Sequence, residues 1–430
     1  MLFEKIAVVD ENGDVLAGMY VGTKDGRIDY MDRTPPEMDY EEHYDGAGKL
    51  LVPGLVNAHS HLPMTLLRGY GENMTLDRWL NERIFPFEAK MTGEDVYWAT
   101  LLGLLEMVRF GITSTSDMYY HGEEMARAVM ESGMKANLSL STICFDERAY
   151  KELPIYEEAR ELMKGWQGAG DGRIRIDLCI HGEYTSTPRV VKGLADYAKE
   201  TGCRVQVHVS ETQKEHEECK MRHGKTPVKY FYDLGLFDVP ATAAHCVWIE
   251  EGDMALLAEK DVTVATCPVS NLKLASGIAP IVPLLKKGVR VALGSDGVAS
   301  NNDADLYQDR KILSMVQKYR ENDPTVLGTK EAFQISTKNG AMAQGRLDTG
   351  SIGVGQKADL CVIDFDQPHL QPVHDGLSTL IYAVTGQDVC LTMVDGQVLY
   401  RDGLYPTMDM ERIIAQVQER KERIVGEIGK

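Results

Sequence analysis

Three hydrophobic patterns succeed one another along the chain, and each predicts a different kind of element. Up to about residue 50, short apolar runs are broken by turn formers: KIAVVD, ENGD, VLAGMYVG, KDGRIDYM, with Asn12-Gly13 and Asp25-Gly26 as tight-turn pairs. Hairpins are predicted there. The same character returns in ADLCVIDFD (358–366) and CLTMVDGQVLYRDGLYP (390–406), where Asp395-Gly396 is a further turn pair. Two β-rich ends around a different middle suggest one small β-sandwich assembled from both termini. The closing stretch, MDMERIIAQVQERKERIVGEI, spaces its apolar residues at helical intervals among many charges, which predicts a terminal amphipathic helix.

In the middle, strand-like runs alternate with amphipathic segments such as GLADYAKETG. The runs are LLVPGLVNAHSH, ITSTSDM, ANLSLSTI, RIRIDLCIH, RVQVHVS, TAAHCV, VTVATCP and VRVALGSD. Eight apolar strands in βα alternation match an α/β chain folded as a (β/α)8 TIM barrel. A doubly wound sheet would call for a G-x-G-x-x-G turn after the first strand, and the sequence has none there. The expected division is residues 1–54 and 353–408 for the two parts of the sandwich, 55–352 for the barrel and 409–430 for the terminal helix.

Composition narrows the class of ligand. The 430 residues carry a formal net charge of −19, which repels phosphate backbones and anionic lipid, so nucleic acid and membrane surfaces are disfavoured and a small molecule becomes the default ligand. The eight cysteines form no C-x-x-C pair in a chain too large to need disulfides, which reads as reduced thiols in a cytoplasmic protein. The opening residues lack the basic and apolar regions of a signal peptide, and no run of 18 apolar residues suggests a membrane span. A homo-oligomer is compatible with all of this.

The histidines carry the chemistry. His59 and His61 stand two apart at the end of LLVPGLVNAHSH, so on a strand both side chains face one way and can reach one ion. His208, His245 and Asp296 each end another apolar run, and in a barrel the carboxyl ends of the strands converge on the face where active sites lie. Three imidazoles, or two with carboxylates, around an open position make the ligand set of a catalytic zinc site. A lone histidine at a strand end is usually just a satisfied polar residue; five such groups on one face argue for a site. Glu211 follows His208 in the pattern H-x-x-E: alone it reads as a solvated loop glutamate, but beside a metal ligand it becomes a candidate general acid/base. Two other motifs fail. His181-Gly182-Glu183 matches the H-x-E of polynucleotide deaminases without the P-C-x-x-C that must follow, and Gly224-Lys225-Thr226 lacks the first phosphate-loop glycine, because position 219 is Cys219.

Around VPGLVNAHSH the chain resembles the amidohydrolase superfamily, and within it the 5′-methylthioadenosine/S-adenosylhomocysteine deaminases. The likeness extends through PGLVNAHSHLPMTLLRGYGENMTLDRWL, GITSTSDMYY, HVSET, AAHCV, CPVSNLKLASGIAP and GSDGVASNN. It implies one divalent metal ion per chain, Zn2+ first with Fe2+ or Mn2+ as alternatives, held by His59, His61, His208 and Asp296. It further implies that His245 stabilises the developing charge and that Asp296 accepts the proton of the attacking water. Glu211 would protonate the purine, Glu88 and His181 would contact the nucleoside, and Trp79 would wall the pocket. The implied reaction converts an adenosine-type nucleoside (5′-methylthioadenosine, S-adenosylhomocysteine, 5′-deoxyadenosine or adenosine) to the inosine analogue and ammonia. Where relatives that accept S-adenosylhomocysteine place arginines, this chain reads ANLSLSTICFDERAYKELP, with Leu140 at one such place and Arg148 as the nearby candidate for a substrate carboxylate. Neutral 5′ substituents are therefore expected to be preferred. Triazine hydrolysis and guanine deamination are the competing chemistries of the superfamily. A non-catalytic assembly protein that keeps only the barrel is a third reading, and such a protein should have lost ligands that this chain retains.

Overall fold

The computed structural model describes residues 1–429. Among them, eight parallel strands form the middle of the molecule: Leu55–Ser60, Ile112–Tyr119, Lys135–Leu140, a fourth in two pieces (Ile174–Ile176 and Leu178–Ile180), Val205–Val209, Ala241–His245, Thr263–Thr266 and Arg290–Leu293. Each of the eight apolar runs of the sequence overlaps one of them, and the second, third and sixth strands extend one residue outside their runs. Sequential neighbours pair in parallel, and isolated parallel bridges, Thr142 to Ile180 and Ser60 to Asp296, join the two stretches of sheet into a ring. The fourth strand is interrupted at Asp177, whose carboxylate accepts from the buried side chains of Asn137 and Gln206. These strands are buried on both faces, which explains their near-continuous apolar character.

The β-rich ends assemble as expected from both termini, and their hydrogen bonding makes one continuous mixed sheet. Its order is Gln397–Arg401, Val389–Val394, Leu360–Asp364, Lys49–Pro53, Leu2–Val9, Val15–Lys24 and Arg27–Asp32, with His43–Asp45 also paired to Leu2–Val9. Strands from both ends of this order share one apolar cluster that includes Phe3, Val21, Ile28, Leu51, Leu391 and Met393. The predicted turns are tight and left-handed, with φ of +50° and +75° at Asp25-Gly26 and +47° and +76° at Asp395-Gly396. The chain leaves this sheet for the barrel at Gly54, where a Cβ would stand 2.1 Å from the Thr113 side chain, so only glycine allows the crossing.

The predicted terminal helix runs over Met410–Ile428 and packs on the helix Gly93–Arg109 that follows the first barrel strand. Ile413, Val417 and Ile424 form its buried stripe, contributing at most ~1.5–3 kcal/mol each. Arg423 adds an ion pair with Asp95, which is itself part of the capping box that starts the partner helix. Among the described residues no helix is long and apolar enough to cross a membrane.

Candidate metal centre and active site

The carboxyl ends of the barrel strands gather the candidate ligands at the seam where the barrel closes. His59 lies on the first strand and His61 just beyond it, and their rings are 4.8 Å apart edge to face. The His208 ring, from the fifth strand, is 4.9 Å from that of His59. Asp296 follows the eighth strand, donates its N–H to the His59 carbonyl at 3.0 Å, and places Oδ1 3.5 Å from His59 Nε2 and 3.2 Å from His61 Nε2. Gly294 makes this approach feasible: a Cβ there would sit 2.9 Å from that of His59 and 3.0 Å from Cys267 Sγ.

The imidazole tautomers are set from behind. His61 Nδ1–H donates to the Met118 carbonyl at 2.6 Å, and His208 Nδ1–H donates to the His181 carbonyl at 2.6 Å. Each ring therefore turns an Nε2 lone pair inward, and the two Nε2 atoms are 3.4 Å apart. His59 Nε2 is buried without any hydrogen-bond partner. An orphaned nitrogen among inward lone pairs and a carboxylate is costly without a cation and suits a divalent ion. The residues thus fit a metal. His59, His208 and His245 also offer donor atoms within 4.8 Å of one another, so distance alone leaves His245 eligible as a ligand.

Supporting residues that the sequence did not single out surround this cluster. Ser270 and Ser300 donate to Asp296 Oδ2 at 2.6 and 3.2 Å, and Asn271 Oδ1 accepts from His245 Nδ1 at 2.9 Å, turning His245 Nε2 towards Glu211 Oε2 at 3.8 Å. Ser270 and Asn271 lie in CPVSN, immediately beyond the seventh strand, and Ser300 lies beyond the eighth, but nothing in those stretches marks them as supports.

The cluster opens into a cleft of about 640 Å³, including the space at its mouth. Glu211, His245, His181, Trp79 and Glu88 all line it. Trp79 and Glu88 come from a helical roof, Leu76–Trp79 and Phe85–Glu88, joined by a wider turn over Leu80–Ile84. Glu88 already accepts from the Tyr119 hydroxyl at 2.6 Å, a partner invisible to sequence reading. Burial pushes the Glu88 carboxyl up to about 7, outweighing that hydrogen bond. Burial likewise raises Glu211, with the charge of Asp296 acting in the same sense. His181, held by Thr185 Oγ1 at 3.0 Å, is lowered to about 4 by burial and by neighbouring imidazoles, so it is neutral near pH 7. Arg148 is not brought to the cleft: its side chain is half-exposed and pairs with Asp146 through Nε at 3.0 Å.

The sequence profile of the amidohydrolase family matches residues 50–399, a span that takes in every residue of this cluster. The chain belongs to the amidohydrolase family. It is 42% identical over 382 residues, 89% of this chain and 88% of the other, to a 5-methylthioadenosine/S-adenosylhomocysteine deaminase of Pelotomaculum thermopropionicum. It is 40% identical over 403 residues, 94% of each chain, to a 5′-deoxyadenosine deaminase of Methanothermobacter thermautotrophicus. Among solved structures, an adenosine deaminase from Xanthomonas campestris with bound zinc superposes with a TM-score of 0.93 at 31% identity, covering 99% of this chain and 98% of that one. This amidohydrolase therefore shares both its fold and much of its sequence with enzymes named as nucleoside deaminases.

Proposed function

We propose that this amidohydrolase is a zinc-dependent deaminase of adenosine-type nucleosides, releasing ammonia and leaving the inosine analogue. The observation that carries the reading is the placement of Glu211, a buried carboxyl of raised proton affinity, in the same cleft as the histidine and aspartate cluster. His59, His61, His208 and Asp296 would hold the ion. A divalent ion bound there would lower the pKa of water and so supply a nucleophile near neutral pH.

The side chains divide the remaining work. Glu211 donates a proton to the ring nitrogen next to the amino-bearing carbon, which makes that carbon electrophilic. Water adds there, Asp296 takes its proton, and His245, held by Asn271, stabilises the developing charge. The proton is then passed to the exocyclic nitrogen, which leaves as ammonia, while the added hydroxyl gives up its remaining proton to restore the Glu211 carboxyl and becomes the carbonyl of the inosine analogue. Glu88 accepts from ribose hydroxyls, and neutral His181 and Trp79 orient the base and sugar.

The lining also supports a neutral 5′ substituent. Behind Glu88 and Tyr119 lies a second cavity bounded by Phe85, Met91, Val96, Tyr120 and the imidazole of His121, and among the described residues no lysine or arginine lines either cavity. A charge-assisted hydrogen bond to a substrate carboxylate would be worth about 1.5–3 kcal/mol, or roughly 10- to 150-fold in kcat/KM. Without one, 5′-methylthioadenosine, 5′-deoxyadenosine or adenosine should exceed S-adenosylhomocysteine by at least about tenfold. Ammonia release across these four compounds, guanine and melamine tests the reading. Turnover confined to the adenosine types is expected; guanine or melamine as the best substrate would refute it.

A further inference from the structure

The helix Gln213–His223 begins just beyond Glu211, and it grips the loop that carries this residue. Thr212 caps it by accepting the Glu215 N–H at 3.1 Å. In an ordinary capping box the third helical residue would return to the N–H of the cap itself. Glu215 instead reaches further back. Its Oε1 accepts the Ser210 N–H at 2.8 Å, and its Oε2 accepts the Glu211 N–H at 2.7 Å. The carboxylate is buried, and both oxygens are committed to backbone amides.

That grip holds a turn with backbone strain. Ser210 has φ of +48°, a left-handed conformation uncommon for a residue with a side chain, and its carbonyl accepts the N–H groups of Val247 and Trp248 at 3.1 and 2.9 Å. The loop after His245 is thereby tied to the loop that presents Glu211. At its other end the helix reaches the loop beyond His181, where Arg222 Nε and His223 Nε2 meet the buried Glu183 Oε1 at 3.1 and 2.9 Å.

We propose that Glu215 is a positioning residue for the reaction: by holding the backbone amides of Ser210 and Glu211, it sets the Glu211 carboxyl where it can hand its proton to the base. This rests on the reading of Glu211 as proton donor. In E215Q the side chain keeps its size, but its amide nitrogen must face one of two N–H groups that need an acceptor. Misplacement of an acid by ~1 Å costs up to ~10²-fold in rate. The expected result is a fall in kcat of about 30-fold or more, with KM within about threefold and zinc content unchanged.

A merely structural role is separated by a double-mutant cycle. E211Q should lose ~10²-fold in kcat. If Glu215 acts through Glu211, E211Q/E215Q should be no slower than E211Q within about threefold. Multiplication of the two losses, or an E215Q kcat within threefold of the parent, would overturn the proposal. A near-normal kcat in E211Q would overturn it together with the assignment of Glu211. Should E215Q fail to fold, E215D, which keeps the charge but is one methylene shorter, carries the same cycle: a loss of kcat seen when Glu211 is intact and absent in the E211Q background supports the proposal, and a parental kcat overturns it.

Discussion

Buried charge gathers at both ends of the barrel strands, and the two gatherings are built differently. At the amino end, Lys135 opens the third strand and reaches into the terminal sheet, where its Nζ lies 2.6 Å from Asp359 and 2.8 Å from Asp395; Lys357 lies 3.0 Å from Asp395. Two cations face two anions. At the carboxyl end, His59 Nε2 and Asp117 Oδ1 are buried without hydrogen-bond partners, and Ser210, His245, Cys246 and Asp296 all take left-handed backbone angles. Matched charges at the first end make a fastening of ion pairs, in which Asp395 Oδ1 faces two ammonium groups without a hydrogen bond of its own. The open Nε2 lone pair of His59, set among the inward-facing nitrogens of His61 and His208 and the Asp296 carboxylate, suits a bound cation.

This contrast breaks if the fastening turns out to affect rate, or the site turns out to be built for stability. The largest effect expected is from Lys135→Met, which leaves Asp359 buried without its cation. It should lower unfolding stability by about 3–5 kcal/mol while kcat of the folded fraction stays within about twofold. Denaturant midpoints and initial rates on one preparation check both halves.

Glu88→Gln should act in the opposite sense and more weakly. The Glu88 carboxyl sits at about 7 against an ordinary 4.5, so the fold favours its protonated form. Stability from this group is present below the ordinary carboxyl range and is lost as pH rises through about 7. The glutamine variant does not ionise, so its Tm should exceed that of the parent at pH 8 and match it near pH 4, while KM for a nucleoside rises. A variant that is both less stable at pH 8 and normal in KM would place Glu88 on the structural side of the comparison.

Much of this was legible in the sequence, for a physical reason. Strands buried on both faces read as apolar runs, and the polar residue that ends such a run stands out, so His59, His61, His208, His245 and Asp296 mark their own positions. Turn chemistry likewise exposed Asp25-Gly26 and Asp395-Gly396. The supports were not legible. Glu215, Ser270, Tyr119 and Asn271 are ordinary residues at ordinary spacings, and they matter only through contacts across the fold. Arg148 shows the converse, a cation close in sequence to the expected place whose partner is the neighbouring Asp146.

The central claim is that the carboxyl-end cluster is completed by one ion and that catalysis needs it. Zinc titrated into chelator-stripped protein, with ammonia release from a 5′-substituted adenosine followed at each step, tests this directly. Activity should climb from background to a plateau at about one ion per chain, and His59→Ala should neither hold the ion nor regain activity. Full deamination by the stripped protein, or recovery by His59→Ala at the same stoichiometry, would contradict the account.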